Sequence, residues 1–241
     1  MPPTIIFAGR DSMQSLQRIP FFKDVTDVET ERFDRACLWK RVDPGEVIVD
    51  FEDNSADIYF IVAGEVRVLI RTINGKEVIL GELRGGEFFG ELSAIDGTPR
   101  SANVTALTRC EMCVMPAAVF RELVFASPTV ADKILRLLVN RIRELNTRLT
   151  EHALLDLKHR LYAELLRLSA PRAGHAGERV VTPPPYHHVL AARIGCRREQ
   201  VTRELSALAG EGILERTRGA FIIRQPQVLE GRINEAMRDD R

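Results

Sequence analysis

Long apolar runs are missing from this sequence. Stretches such as Val78 to Leu80 stop far short of the ~20 residues a membrane-spanning helix requires, and the opening residues, MPPTIIFAGRDS, carry no cleavable signal pattern. The expectation is a soluble, cytoplasmic chain with no membrane partner. Cysteine is scarce as well. Cys37, Cys110, Cys113 and Cys196 are too few and too unevenly spaced for a secreted disulfide framework, so reduced thiols are expected. There is also no nucleophile motif, no glycine-rich phosphate loop and no paired-carboxylate constellation, which speaks against an enzyme.

Net charge is absent too, with 34 Lys and Arg against 34 Asp and Glu. The balance hides an asymmetry: residues 1–128 hold 14 basic against 20 acidic groups, and residues 129–241 hold 20 against 14. A surplus of six positive charges in the second part suits a polyanion partner.

What is present has two periods. From Val42 to Met115 short apolar and polar runs alternate, as in EVIVDF, IYFIVAG, EVRVLIRT and KEVILGEL, with glycines between them. That spacing predicts an all-β roll, with Asn74-Gly75 as its clearest hairpin turn. Past Ser127-Pro128 the period changes. Leu135, Ile142 and Leu149 fall seven apart, as do Leu138, Leu145 and His152, which gives the a and d positions of a coiled-coil seam. A helix from Thr129 to Leu154 would span about 39 Å at ~1.5 Å per residue, more than one small β-domain covers. Self-association as a homodimer through 129–155 is therefore expected.

After Asp156 come a helical segment, HRLYAELLRLSA, and a stretch read as flexible, PRAGHAGER. The helical pair HHVLAARIG and RREQVTRELSALAGEG follows, and then ILERTRGAFIIR. Two helices around a glycine turn and a short hairpin predict a winged helix-turn-helix. The expected organisation is an α+β chain: a β-roll of the jelly-roll, double-stranded β-helix type with an N-terminal helix over 1–128, a dimerisation helix over 129–155, and a winged helix-turn-helix over 156–241.

Two segments carry chemistry. In EFFGELSAIDGTPRSANVTAL the β pattern breaks at Gly90-Glu91-Leu92-Ser93, a short turn whose free N–H groups can face an anion. Arg100 and Ser101 follow, adding a guanidinium and a hydroxyl, while Glu91 offers a carboxylate acceptor. In RREQVTREL, Arg198, Glu199 and Arg203 are the bidentate residue types that read base edges from the first turns of a helix. Arg197, Gln200 and Thr202 suit phosphates or solvent.

With FGELSAIDGTPRSA and GCRREQVTREL the chain resembles the CRP/FNR superfamily of bacterial transcription regulators over nearly its whole length. The resemblance implies cyclic AMP or cyclic GMP as a non-covalent effector. Glu91 would hold the ribose 2′-hydroxyl, and Arg100, Ser101 and the Gly90–Glu91 backbone the cyclic phosphate. It further implies a TGTGA palindrome in double-stranded DNA, with Arg198 and Arg203 on guanines and Glu199 on a cytosine, and RNA polymerase as a further partner. The base-capping hydroxyl residues of cyclic AMP receptors fall here on Leu145 and Asn146. Leu145 departs from the family pattern, while Asn146 can pair with adenine or guanine. A ligand reaching Asn146 would re-set the seam and with it the DNA-reading helices. Tyr186 replaces the usual Ser or Thr cap before the helical pair.

Other readings on the same scaffold are weaker. Cys110-Glu-Met-Cys113 has a zinc-like spacing but lies on an alternating strand that sends the two thiols to opposite faces. The oxygen-sensing branch needs an N-terminal cysteine cluster, where only Cys37 stands. Pro2-Pro3 suits the haem-binding branch, yet residues 85–101 contain no His or Cys. His187 and His188 diverge on a helix surface and are not expected as ligands. A redox or haem gas sensor is the alternative function.

Overall fold

A computed structural model describes residues 15–72 and 74–239; Pro2 and Pro3 and most of the segment expected to carry an N-terminal helix lie outside the described residues. The chain falls into two compact units, Met1–Val139 and Asn140–Arg241.

In the first unit, 3-10 turns at Leu16–Arg18 and Pro20–Phe22 and a short helix α1 (Glu31–Asp34) lead into eight strands: β1 (Leu38–Val42), β2 (Val47–Val49), β3 (Ile58–Ala63), β4 (Glu65–Arg71), β5 (Glu77–Arg84), β6 (Phe88–Phe89), β7 (Asn103–Ala106) and β8 (Cys110–Met115). They form two antiparallel four-stranded sheets, ordered β1-β8-β3-β6 and β2-β7-β4-β5. This is the roll read from the alternation. The β4–β5 connection falls at the predicted turn: Gly75 takes φ 74° and donates its N–H to the Thr72 carbonyl at 2.8 Å.

The period of two divides the interior. On β3, Ile58 and Phe60 enter a core shared with Leu16, Phe22 and Phe33, while Tyr59 and Ile61 enter the core between the sheets. On β8, Cys113 and Met115 join the first core and Cys110, Met112 and Val114 the second. Cys110 and Cys113 thus lie in different cores, as their parity dictates.

Helices α2 (Glu91–Asp96), α3 (Ala117–Ala126) and α4 (Pro128–Leu154) complete this part. Pro128 opens α4, where a missing N–H is harmless. Ser127 precedes it, fully buried; its hydroxyl donates to Asp27 at 2.6 Å and accepts from the Val130 N–H at 3.1 Å, while the Thr129 N–H donates to Asp27 at 2.9 Å. Side chains thereby satisfy free donors of the first turn. Val130 and Ile134 are buried in the first core, whereas Leu135, Val139, Ile142, Leu145 and Leu149 are exposed.

In the second unit Asp156 caps α5 (Leu157–Leu168), accepting from the His159 N–H at 3.1 Å. Strands β9 (Ala170–Pro171) and β10 (Arg179–Val181), helices α6 (His187–Ile194) and α7 (Arg198–Gly210), strands β11 (Leu214–Arg216) and β12 (Phe221–Ile223) and helix α8 (Pro226–Asp239) follow. The sheet order is β11-β12-β10-β9. The expected flexible stretch is corrected here. PRAGHAGER forms the β9–β10 hairpin, closed by an Arg172–Glu178 ion pair at 2.5 Å, and Arg224 reaches Glu178 at 2.9 Å. Helix α8 is a further addition; its Leu229 is buried in a core with Leu161 and Leu165 of α5.

Candidate functional sites in the roll and the helix pair

In the roll, strand β6 ends at Phe89 and the chain turns through Gly90 with φ 90° and ψ 2° into α2. Glycine is required there twice over. The backbone is left-handed, and a Cβ would sit 2.7 Å from both Arg100 Nη1 and the Asp57 carbonyl oxygen. No side chain caps α2, so its first N–H groups keep their donor capacity.

Glu91 and Arg100 are both buried, at 2% and 3% exposure. Arg100 donates from Nε to Ser55 Oγ at 3.0 Å, from Nη1 to the Gly90 carbonyl at 3.3 Å and from Nη2 to the Asp57 carbonyl at 2.7 Å. Its guanidinium also lies 5.7 Å from the Tyr59 ring centroid, and that ring stacks on Phe89 at 4.9 Å. Burial pushes the Tyr59 hydroxyl above its ordinary value, with the Arg100 charge pulling the other way. The hydrogen bonds of Arg100 thus end on uncharged oxygens, and its positive charge is met by dipoles. A buried guanidinium held this way suits an anionic ligand.

The structure brings Gly90, Glu91, Leu92, Ser93, Arg100 and Ser101 into one stretch of the roll. Ser93 is buried, and Leu92 and Ser101 are exposed. Leu145 and Asn146, both exposed, belong to the part of α4 that falls in the second unit. Ser55, Asp57 and Tyr59 are participants that sequence reading misses. They lie more than 40 residues from Arg100, and no local motif marks them.

In the second unit α6 ends at Gly195, φ 72°, and α7 begins three residues later. Val201, Leu205 and Leu208 fix α7 in the core by one face. The other face exposes Arg198, Glu199, Thr202 and Arg203. Arg197, Glu199, Gln200 and Arg203 line one open groove. The Arg197 N–H donates to Gln200 Oε1 at 3.1 Å, which anchors the first turn. Tyr186 precedes α6 without capping it and stacks instead on His188 at 5.6 Å. Two features beside this face are not legible in the sequence, where His187 reads only as a helix-surface residue: its contact with Thr202 and the nearness of Arg216. His187 Nδ1 lies 2.7 Å from Thr202 Oγ1, and Arg216 of β11 is close enough to act on the His187 ring.

Residues 39–127 match the family model of the cyclic nucleotide-binding domain, and residues 159–232 that of the Crp-like helix-turn-helix domain. The cyclic AMP receptor protein of Thermus thermophilus is 32% identical over 173 residues, 72% of this chain and 77% of that protein. The cAMP-activated global transcriptional regulator CRP of Salmonella typhimurium is 30% identical over 200 residues, 80% of this chain and 92% of that protein. The chain belongs to the CRP/FNR superfamily. It is a DNA-binding transcription regulator built from that superfamily's two modules, and its relatives are regulators and not enzymes.

Solved structures agree on the fold. A CRP/FNR-family regulator from Thermus thermophilus superposes with TM-score 0.62 at 25% identity, covering 81% of this chain and 98% of that one. A CooA mutant from Carboxydothermus hydrogenoformans gives TM-score 0.75 at 16% identity, over 92% and 97%. Among the described residues no helix is long and apolar enough to cross a membrane.

Proposed function

We propose that this CRP/FNR regulator is gated by a purine cyclic nucleotide bound in its roll, and that it reads a TGTGA-type palindrome as a homodimer. The observation that carries the ligand assignment is Arg100, buried and bonded to uncharged oxygens next to a capless turn and a buried carboxylate. Arg100 with Ser101 and the Gly90–Glu91 backbone is assigned to the cyclic phosphate and Glu91 to the ribose; Leu92 and Ser93 shape the turn. Asn146 is assigned to the base and Leu145 to apolar contact, so cyclic GMP competes with cyclic AMP as effector. The exposed apolar stripe of α4 from Leu135 to Leu149 supports pairing with a second copy, since such a stripe is costly in water.

Arg198, Glu199 and Arg203 are assigned to base edges, and Arg197, Gln200 and Thr202 to the DNA backbone or to solvent. RNA polymerase is the partner through which a bound dimer would act on transcription, and the cytoplasm is the compartment such a role requires. Ligand binding shifts the dimer between two states only as far as its affinities for them differ.

Calorimetry with cyclic AMP and cyclic GMP tests the ligand site. Arg100→Ala is expected to weaken binding by about 10- to 150-fold, the value of a charge-assisted hydrogen bond of ~1.5–3 kcal/mol, and to remove ligand-stimulated DNA binding with it. Unchanged affinity would remove the assigned site. On the DNA side, Glu199→Ala is expected to lose about 1–3 kcal/mol of discrimination at one base pair while non-specific binding persists. Selection from a library randomised over the TGTGA half-site reads this directly, and an unaltered preference would show that another element reads the bases.

A further inference from the structure

The cross-helix contact between His187 and Thr202 has a protonation logic of its own. The Thr202 hydroxyl donates its single proton to the Arg198 carbonyl at 3.1 Å, the back-bond of a helical threonine. On that ground we assign the ring proton of His187 to Nδ1, with the Thr202 oxygen 2.7 Å away accepting from it. In the neutral ring this leaves Nε2 as an acceptor, which cannot bind a phosphate oxygen. Only the imidazolium offers a second N–H.

We propose that His187 is a proton-linked contact of the DNA interface, donating from Nε2 to a backbone phosphate when protonated and positioning Thr202 and the first turn of α7 through Nδ1. The proposal rests on the DNA-reading role of α7 and adds a residue and a regulation to it.

Local electrostatics favour uptake of the proton on binding. In the free protein His187 is held below the ordinary histidine value by burial and by the charges of Arg216 on β11 and Arg198 on α7; none of the groups acting on it is a carboxylate. On its own helix the neighbouring His188 stacks on Tyr186 instead. DNA phosphates neutralise the field of the two arginines and add an acceptor, so the bound form has the higher pKa. The sign follows: the extra affinity is fully present below the free-protein pKa and is lost as pH rises through the bound-state value.

The test measures anisotropy of a labelled TGTGA-palindrome duplex and a scrambled duplex against the full chain, with cyclic AMP and cyclic GMP saturating, between about pH 6 and pH 8. Wild type should bind about 3- to 10-fold more tightly at the acid end, within the tenfold per pH unit one proton allows. Its salt dependence should steepen there by about 0.9 in the log–log slope, one added phosphate contact. His187→Gln, which keeps a donor for Thr202 but cannot titrate, should flatten both readouts and match wild type at the alkaline end. His188→Gln should leave both intact. A pH-flat wild type, or a profile that survives in His187→Gln, overturns the proton link alone. Failure of wild type to bind either duplex at any pH overturns the DNA reading as well.

Discussion

Two buried arginines, one in each unit, show how the same side chain is put to different uses. Arg193 of α6, 8% exposed, meets Glu164 of α5 at 3.2 Å; Glu164 is 1% exposed and also bonds Arg167, which reaches Glu151 of α4 at 2.5 Å. That chain of alternating charges ties three helices together. Arg100 of the roll is as deeply buried, yet its bonds end on a hydroxyl and two carbonyls. A guanidinium matched to a carboxylate is part of the scaffold. One matched to dipoles has the free charge that the proposed anionic ligand calls for.

Breaking the matched pair should have the largest effect. Glu164→Gln removes the buried carboxylate that both Arg193 and Arg167 meet and is expected to destabilise the second unit by about 3–5 kcal/mol, read from urea unfolding of the full chain. A double replacement, Glu164→Leu with Arg193→Met, should recover most of the loss, since apolar pairs of similar volume are tolerated at such sites. Arg100→Ala strands no charge, so its unfolding cost should be the smaller while its effect on ligand affinity is large. If it unfolds the roll as readily as Glu164→Gln unfolds its own unit, the two arginines are alike and the contrast fails. At the outer end of the chain Glu151→Gln should cost least, about 0.3–1 kcal/mol, because Arg167 is partly in solvent and keeps Glu164.

The legible parts of this molecule are those written contiguously. The stretch from Gly90 to Ser101 proposed for the ligand and the helix from Arg198 proposed for the DNA are each continuous in sequence, and the change of period at Ser127-Pro128 marks where strands give way to the long helix. What escaped is made by residues distant in sequence. Ser55 and Asp57 hold Arg100 from a separate loop, and His187 reaches Thr202 across a helix pair. PRAGHAGER has the composition of a linker, and it becomes a strand turn through the Arg172–Glu178 pair across it and through distant partners, the β12 ladder and Arg224. Helix α8 lies past the wing, where the reading of the sequence stops; its buried contact is likewise with a helix far upstream.

The anchoring of α4 has a consequence for how the protein comes to be. Asp27, which receives the Ser127 hydroxyl and the Thr129 amide, stands 100 residues upstream of Ser127. A ribosome delivers that carboxylate long before the amide it will receive, and a closure of such span is entropically slow. The first turn of α4 is therefore a late clasp: it locks only once the strands between have already folded back and brought the two ends of the roll together.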